Sequence, residues 1–145
     1  MMIKRYMNWK GESDLSIYDY ISNNIHPEDL LVFYDLLLPT LVERFDCIFF
    51  EDKYNQSTFE RWNTELKGDK VAIEKVLNHV HVYDIFGNCQ DEIEDVVYEK
   101  IAFLLQKIWK YHFKDSYPEK NIVVELIINE SEYGPTLYVY QNNMI

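Results

Sequence analysis

The sequence predicts an α+β fold, with several helices packed against a small antiparallel β-sheet that includes a C-terminal β-hairpin. Three observations support this prediction. Apolar residues recur at helical spacing in several segments before residue 114, whereas two alternating, β-favouring segments surround a turn near the C-terminus. The length of 145 residues suits one domain, residues 1–145, whose core needs no disulfide or metal.

The first third of the chain predicts helices followed by a short strand. Helical spacing is shared by Leu15, Tyr18, Ile21 and Ile25. A second helix is expected over residues 27–38, because the missing N–H of Pro27 costs nothing in a first helical turn and Pro39 ends the helix. The aromatic segment Phe45–Glu51 then predicts a strand.

Capping residues predict two further helices in the middle of the chain. Ser57 and Glu60 have the spacing of a capping box, and Gly68 supplies a left-handed residue that ends the helix. Asp69 can cap the next helix. The predicted buried stripe of that helix consists of Ile73, Val76, Leu77 and Val80.

The longest predicted helix runs from about residue 91 to residue 113. Acidic residues crowd its first turns and lysines occupy its second half, which is the arrangement that the helix dipole favours. Its predicted core stripe consists of Ile93, Val97, Ile101, Leu104 and Ile108, widened by Leu105, Trp109 and Phe113. The lysines are expected to face solvent, with anion binding as the alternative; they are Lys100, Lys107, Lys110 and Lys114.

The C-terminal hairpin is predicted from residues 121–129 and 136–141. Aliphatic residues alternate along both segments and are expected to face the helices. The same alternation turns Tyr138 and Tyr140 outward, near Glu125. Tyrosine is enriched at protein interfaces, so these side chains are candidate partner contacts. The alternative is that they only cover the outer sheet face, as β-favouring aromatic residues often do.

The chain is strongly acidic, with a formal net charge of −11. Residues 11–60 alone hold eleven Asp or Glu side chains against two basic ones. Such a surface repels nucleic acid and anionic membranes, because both reward Lys and Arg. We therefore expect neither as a partner and expect a basic protein instead.

Targeting and cysteine content predict a cytoplasmic location. The N-terminus lacks the apolar core of a secretory signal, and the longest apolar runs are too short to cross a bilayer. Cys47 and Cys89 form no CxxC pair, which argues against a disulfide framework or a zinc knuckle. Cys47 lies among large apolar residues and Cys89 precedes a cluster of acids, so neither resembles an activated nucleophile.

Recognisable motifs for enzymatic chemistry are absent from the sequence. The four glycines are too scattered to form a phosphate-binding loop, and no cofactor is expected. His79 and His81 would share a face on a strand, where Asp84 could join them as a metal ligand. Helical spacing of the neighbouring apolar residues favours a helix instead, on which the two histidines would point apart. No metal site is therefore predicted.

We expect a non-enzymatic, acidic binding protein, best matched by an inhibitor or immunity protein that neutralises a basic toxin such as a nuclease. In general character the chain is similar to small acidic bacterial immunity proteins, although no family motif matches residue by residue. The predicted partner contacts are Asp46, Glu51, Asp52, Glu130, Glu132, Tyr133, Tyr138 and Tyr140. They form one surface if the Phe45–Glu51 strand and the hairpin pair in one sheet.

Two other classes of function are left open. One is a small metal-dependent or hydrolytic enzyme centred on His79, His81 and Asp84, which would carry stoichiometric metal. The other is a structural or oligomerisation domain, which would associate with itself without a foreign partner. The sequence leaves the oligomeric state open.

Overall fold

A computed structural model describes residues 3–129 and 133–143 of the chain. The chain forms two compact units, Met1–Leu36 and Leu37–Ile145. The single domain predicted over residues 1–145 stays a prediction, because two units of one chain can fold together or separately. No helix within the described ranges is both long and apolar enough to span a membrane.

Three helices account for the N-terminal part of the chain: α1 (Lys4–Lys10), α2 (Ile17–Asn24) and α3 (Pro27–Leu37). A capping box begins α2, because the Ser16 hydroxyl accepts from the Asp19 N–H and the Asp19 carboxylate accepts from the Ser16 N–H. The Tyr20 ring packs edge-on against two other aromatic rings of this unit, 5.9 Å and 5.5 Å away between centroids. The helix predicted from residue 27 is confirmed and ends one residue earlier than expected.

The second unit combines helices with two small antiparallel sheets. Its elements are β1 (Leu41–Arg44), β2 (Cys47–Phe50), α4 (Gln56–Glu65), α5 (Lys70–Leu77), β3 (His79–His81), α6 (Val82–Ile85), α7 (Asp95–Ser116), β4 (Ile122–Ile127) and β5 (Thr136–Gln141). The first sheet pairs β1 with β2, and the second has the order β3-β5-β4. The predicted α+β fold with its C-terminal hairpin, β4-β5, is confirmed.

The N-cap residue differs from the prediction for α4 and agrees with it for α5. The predicted Ser57 capping box is wrong, because the Asn55 side chain begins α4 by accepting from the Thr58 N–H at 3.0 Å. The Ser57 hydroxyl instead donates to that same Asn55 oxygen at 2.6 Å. Asp69 caps α5 as predicted, where its carboxylate accepts from the Ala72 N–H at 3.2 Å.

The buried face of α7 is rotated from the predicted core stripe. Its buried residues are Ala102, Leu105, Trp109 and Phe113. Val97 and Leu104, which were expected in the core, are 42% and 51% exposed. Both faces of the helix carry apolar residues, and burying Trp and Phe removes the most apolar area from water. The Trp109 ring accordingly packs on Phe50 of β2, with 5.4 Å between centroids.

The predicted strand over Phe45–Glu51 is confirmed only in its central part. Phe45 and Asp46 have φ values of 56° and 64° and form the turn that connects β1 to β2. The sequence prediction missed β1, which pairs with β2 over its whole length. The condition that this strand and the hairpin pair in one sheet is not met, because β2 and β5 belong to separate sheets.

The side chains of Glu74 on α5 and of Asn78 at its C-cap connect the two separate sheets by hydrogen bonds. The buried Glu74 carboxylate accepts from the Ile48 N–H of β2 at 2.7 Å and from the Gln141 N–H of β5 at 3.0 Å. The Asn78 amide group donates to the Ile48 carbonyl at 2.8 Å and to the Val139 carbonyl at 3.1 Å. Side chains thus replace the backbone bonds that β2 and β5 do not make to each other.

Candidate protein-binding surface

One side of the three-stranded sheet carries most of the predicted contact residues. Strand register pairs Tyr138 of β5 with His79 of β3 on one side and with Glu125 of β4 on the other. Residues in direct register lie on the same face, and so do residues two positions apart. We call this side, formed by His79, His81, Glu125, Tyr138 and Tyr140, the outer face. The opposite side is buried in the core at Val124, Leu137 and Val139.

Tyr140 is held in place on the outer face by a hydrogen bond and a cation. Its hydroxyl donates to the Glu125 carboxylate at 3.2 Å, and the Lys75 ammonium lies 4.5 Å from the ring centroid. Burial, followed by the nearby Glu125 charge, raises the pKa of the Tyr140 hydroxyl. The hydroxyl therefore stays protonated at neutral pH and keeps its role as a donor.

A row of aromatic rings extends from His81 on the outer face to Tyr98 on α7. The Tyr133 ring lies 5.5 Å from His81 and 5.4 Å from Tyr83, and Tyr83 lies 4.7 Å from Tyr98. The Tyr83 hydroxyl donates to the Asp95 carboxylate at 2.9 Å, and this hydrogen bond is the main cause of its raised pKa. The row of rings thus ends beside a carboxylate at the start of α7.

A glycine shapes the turn that brings Tyr133 to this row. Gly134 has a φ of +66°, and a Cβ atom there would lie 2.5 Å from the Tyr83 ring. Only glycine permits both this conformation and this close approach. Tyr83 was not among the contact candidates predicted from the sequence, because Tyr83 is far from the hairpin in sequence and its packing on Tyr133 depends on the fold. The one local indication is the aromatic character of the segment around Tyr83.

The predicted acids divide between two ends of β2. Asp46 lies in the β1–β2 turn, where its 82% exposed side chain pairs with Lys70 at 3.2 Å. Glu51 and Asp52 follow the other end of β2, and the neighbouring Lys53 ammonium donates to the His79 carbonyl at 3.1 Å. The structure therefore brings Lys53 and the nearby Asp52 to the edge of the outer face at His79 and places Asp46 at the far end of β2.

Lys53 directly follows the acidic residues Glu51 and Asp52 in the chain. Burial lowers the pKa of its ammonium, and the charges of Asp52 and Asp84 partly oppose this shift. The carboxylates of Asp52 and Asp84 thus act on the Lys53 ammonium, and together they outweigh its charge at this edge of the outer face. The two remaining predicted contacts, Glu130 and Glu132, lie outside the described residues.

The helical prediction for His79 and His81 is wrong. Both residues lie on β3 and point to the outer face, with their ring centroids 4.9 Å apart. Helix α5 ends at Leu77, and its C-cap residue Asn78 directs its side chain to β2 and β5. Asp84 lies exposed on α6, and within the described ranges no group of three or more His, Cys, Asp and Glu side chains is arranged to hold a metal ion.

A pocket of about 390 Å³ lies away from the outer face, among α4, α5 and the β1–β2 turn. Its apolar wall includes Cys47 and the rings of Phe45 and Phe59, which stack with 4.7 Å between centroids. Burial, followed by the charge of Glu74, raises the pKa of the Cys47 thiol to about 11. A protonated thiol is a poor nucleophile, so the pocket is not prepared for cysteine chemistry.

The two cysteines should differ sharply in reactivity. Cys89 is exposed and Cys47 is 1% exposed with a raised pKa. We expect a disulfide reagent such as Ellman's to modify one thiol per folded chain at pH 8 and two after unfolding. Cys89→Ser should remove the fast reaction and leave the slow one. Rapid labelling of that variant in its folded state would contradict the buried position of Cys47.

Comparisons of the chain with protein-family models, with curated proteins and with solved structures found no match. The chemistry of the surface is therefore the basis for assigning a function. The outer face offers aromatic area, hydroxyl donors and a carboxylate, and Asp52 and Asp95 lie near its edges. These are the means by which a protein holds another protein with a basic surface.

Proposed function

We propose that this chain is a non-enzymatic binding protein that holds a basic protein partner on the outer face. Within that class, we propose an inhibitor or immunity protein that neutralises a basic toxin such as a nuclease. The observation that supports the proposal most directly is the strand register, which turns Tyr138 and Tyr140 to the same side of the sheet as His81, on which Tyr133 packs.

Tyrosine suits this role because it gives a large rigid contact area and loses little side-chain entropy on binding. Packing restricts the relevant rings already in the free protein. Tyr140 is bonded to Glu125, and Tyr133 lies against both His81 and Tyr83. A surface that is ordered before association loses less conformational freedom when the partner binds.

Charge supplies the second part of the proposal. The net charge of −11 attracts a basic protein over a distance and raises its association rate. Nucleases expose Lys and Arg to hold phosphate groups, so an acidic protein can occupy the same basic surface. Near the outer face, the carboxylates of Glu125, Asp52 and Asp95 could pair with such side chains.

A pull-down from the native cell with matched variants tests the proposal. We expect the wild-type chain to retain a protein rich in Lys and Arg, and Tyr138→Ala to lower the affinity for it by about tenfold or more. Tyr111→Ala is the control, because Tyr111 is 68% exposed on α7, outside the outer face. Equal retention by both variants, or retention of an acidic partner, would count against this function.

A further inference from the structure

We propose that His79 and His81 bind one divalent transition-metal ion, of the class Cu²⁺, Ni²⁺ or Zn²⁺, through their two Nε2 atoms. The inference does not depend on the proposed protein partner. It rests on the hydrogen bonds of the histidine rings, which determine the nitrogen that carries the proton and the nitrogen that keeps a lone pair.

The first ring is fixed by a backbone carbonyl. His79 Nδ1 lies 2.5 Å from the Val76 carbonyl oxygen. A carbonyl can only accept a hydrogen bond, so Nδ1 carries the proton. In the neutral ring the lone pair is then on Nε2. Metal-binding histidines commonly have this arrangement, with the second nitrogen donating to a carbonyl or carboxylate.

The second ring is fixed through a hydroxyl group. His81 Nδ1 lies 2.9 Å from the hydroxyl oxygen of Thr136, and that hydroxyl donates to the Gly134 carbonyl at 3.1 Å. Because the hydroxyl proton is directed to the carbonyl, the oxygen acts as acceptor toward His81. Nδ1 of His81 therefore also carries the proton, and Nε2 keeps its lone pair.

The two imidazole rings lie on one side of the sheet. His79 and His81 are two positions apart on β3 and pair with Tyr138 and Thr136 of β5. Their ring centroids are 4.9 Å apart, and both side chains are half-buried at the surface. Neutral imidazole suits copper, nickel and zinc, so the pair can supply two ligands to one such ion. Water completes the coordination.

The other two histidines of the chain lack this arrangement. His112 Nε2 donates to the Pro39 carbonyl at 2.8 Å, and its Nδ1 lies 3.4 Å from the Ser116 hydroxyl. His26 Nδ1 accepts from the Glu28 N–H at 3.1 Å, so its lone pair is already used. His112 is therefore a matched control: it is ordered, but its remaining lone pair is on Nδ1, which faces the Ser116 hydroxyl.

Titration of the metal-free protein with CuSO₄ and with NiCl₂ tests the site. Calorimetry should show one ion per chain, and the copper EPR spectrum should show nitrogen ligands. We expect His79→Ala and His81→Ala each to weaken binding at least about tenfold, since each removes one of two protein ligands. His112→Ala should bind as the wild type does. No binding by the wild type, or equal binding by all four proteins, would overturn the proposal.

A long-range ¹H–¹⁵N NMR spectrum of the wild type gives a second test that needs no variant. It should show His79 and His81 protonated at Nδ1 and His112 protonated at Nε2. Nickel addition should then affect the signals of the first two rings before that of His112. Protonation of both rings at Nε2, or no preference for them on nickel addition, would also overturn the proposal.

Discussion

Replacing Glu74 with Ala should lower the free energy of unfolding by about 3 kcal/mol or more. Glu74 is 1% exposed, and its carboxylate accepts from the Ile48 N–H and from both the backbone and the side-chain N–H groups of Gln141. Removing it leaves the backbone N–H groups of Ile48 and Gln141 without their acceptor, and the Gln141 side-chain amide keeps only its bond to the Asp46 carbonyl. Each such donor costs about 1–3 kcal/mol.

Urea unfolding, followed by far-UV circular dichroism, measures this effect. Glu60→Ala is the matched control, because Glu60 is an exposed residue on α4 whose carboxylate accepts from the nearby Gln56 side chain of the same helix. The control should change stability by no more than about 0.5 kcal/mol. A Glu74→Ala protein as stable as the control would show that the carboxylate does not join the two sheets.

Leu105→Ala should destabilise the protein by about 2–5 kcal/mol, whereas Leu104→Ala should cost less than about 1 kcal/mol. The two residues are neighbours on α7 and chemically identical, but Leu105 is 1% exposed and Leu104 is 51% exposed. Truncating the buried side chain leaves a cavity beneath the helix, whereas truncating the exposed one changes mainly solvent contact. The same urea experiment gives both values.

This pair of variants distinguishes two rotations of α7 about its own axis, one that buries Leu105 and one that buries Leu104. The helical periodicity placed Leu104 in the central core stripe and Leu105 at its edge, and the structure reverses that order. Equal losses for the two variants, or a larger loss for Leu104→Ala, would support the original stripe. Because the variants share the same helix propensity change, any difference between them reports burial.

Local patterns predicted the parts of the fold that depend on neighbours in sequence. Alternation identified the two strands of the hairpin and the outward direction of Tyr138 and Tyr140, because side chains on a strand must alternate. Asp69 was identified as a cap for the same kind of reason, since a capping bond spans three residues. Patterns of this kind involve only a few consecutive residues, so they can be recognised from the sequence alone.

The missed features depend on contacts between distant segments. Apolar spacing continues through Asn78 toward Val80, so nothing local shows that Asn78 leaves the helix to bond β2 and β5. Glu74 gives the same difficulty, because a carboxylate on a helix usually faces solvent and this one accepts from residues 26 and 67 positions away. The assignment of His79 and His81 to a helix followed from the first of these omissions.

The candidate surface was predicted in part. The tyrosines of the hairpin could be assigned to one face from alternation, but Tyr83 reaches that face only through the fold. Charge counting identified the acids without placing them. The structure puts Asp52 near Lys53, which bonds the His79 carbonyl, and leaves Asp46 at the other end of β2, paired with Lys70. Whether a carboxylate can contact a partner depends on its position in the folded structure, which a count of acidic residues does not give.

The central claim is that a basic partner binds the outer face through tyrosine contacts and an acidic field. The most direct test is the dissociation constant of the captured complex, measured between about 50 mM and 500 mM salt for the wild type, Tyr138→Ala and Tyr111→Ala. We expect the affinity to fall steeply with salt for all three proteins and to be lower than that of the wild type, at every salt concentration, only for Tyr138→Ala. A complex whose affinity is independent of salt and is unchanged by Tyr138→Ala would contradict it.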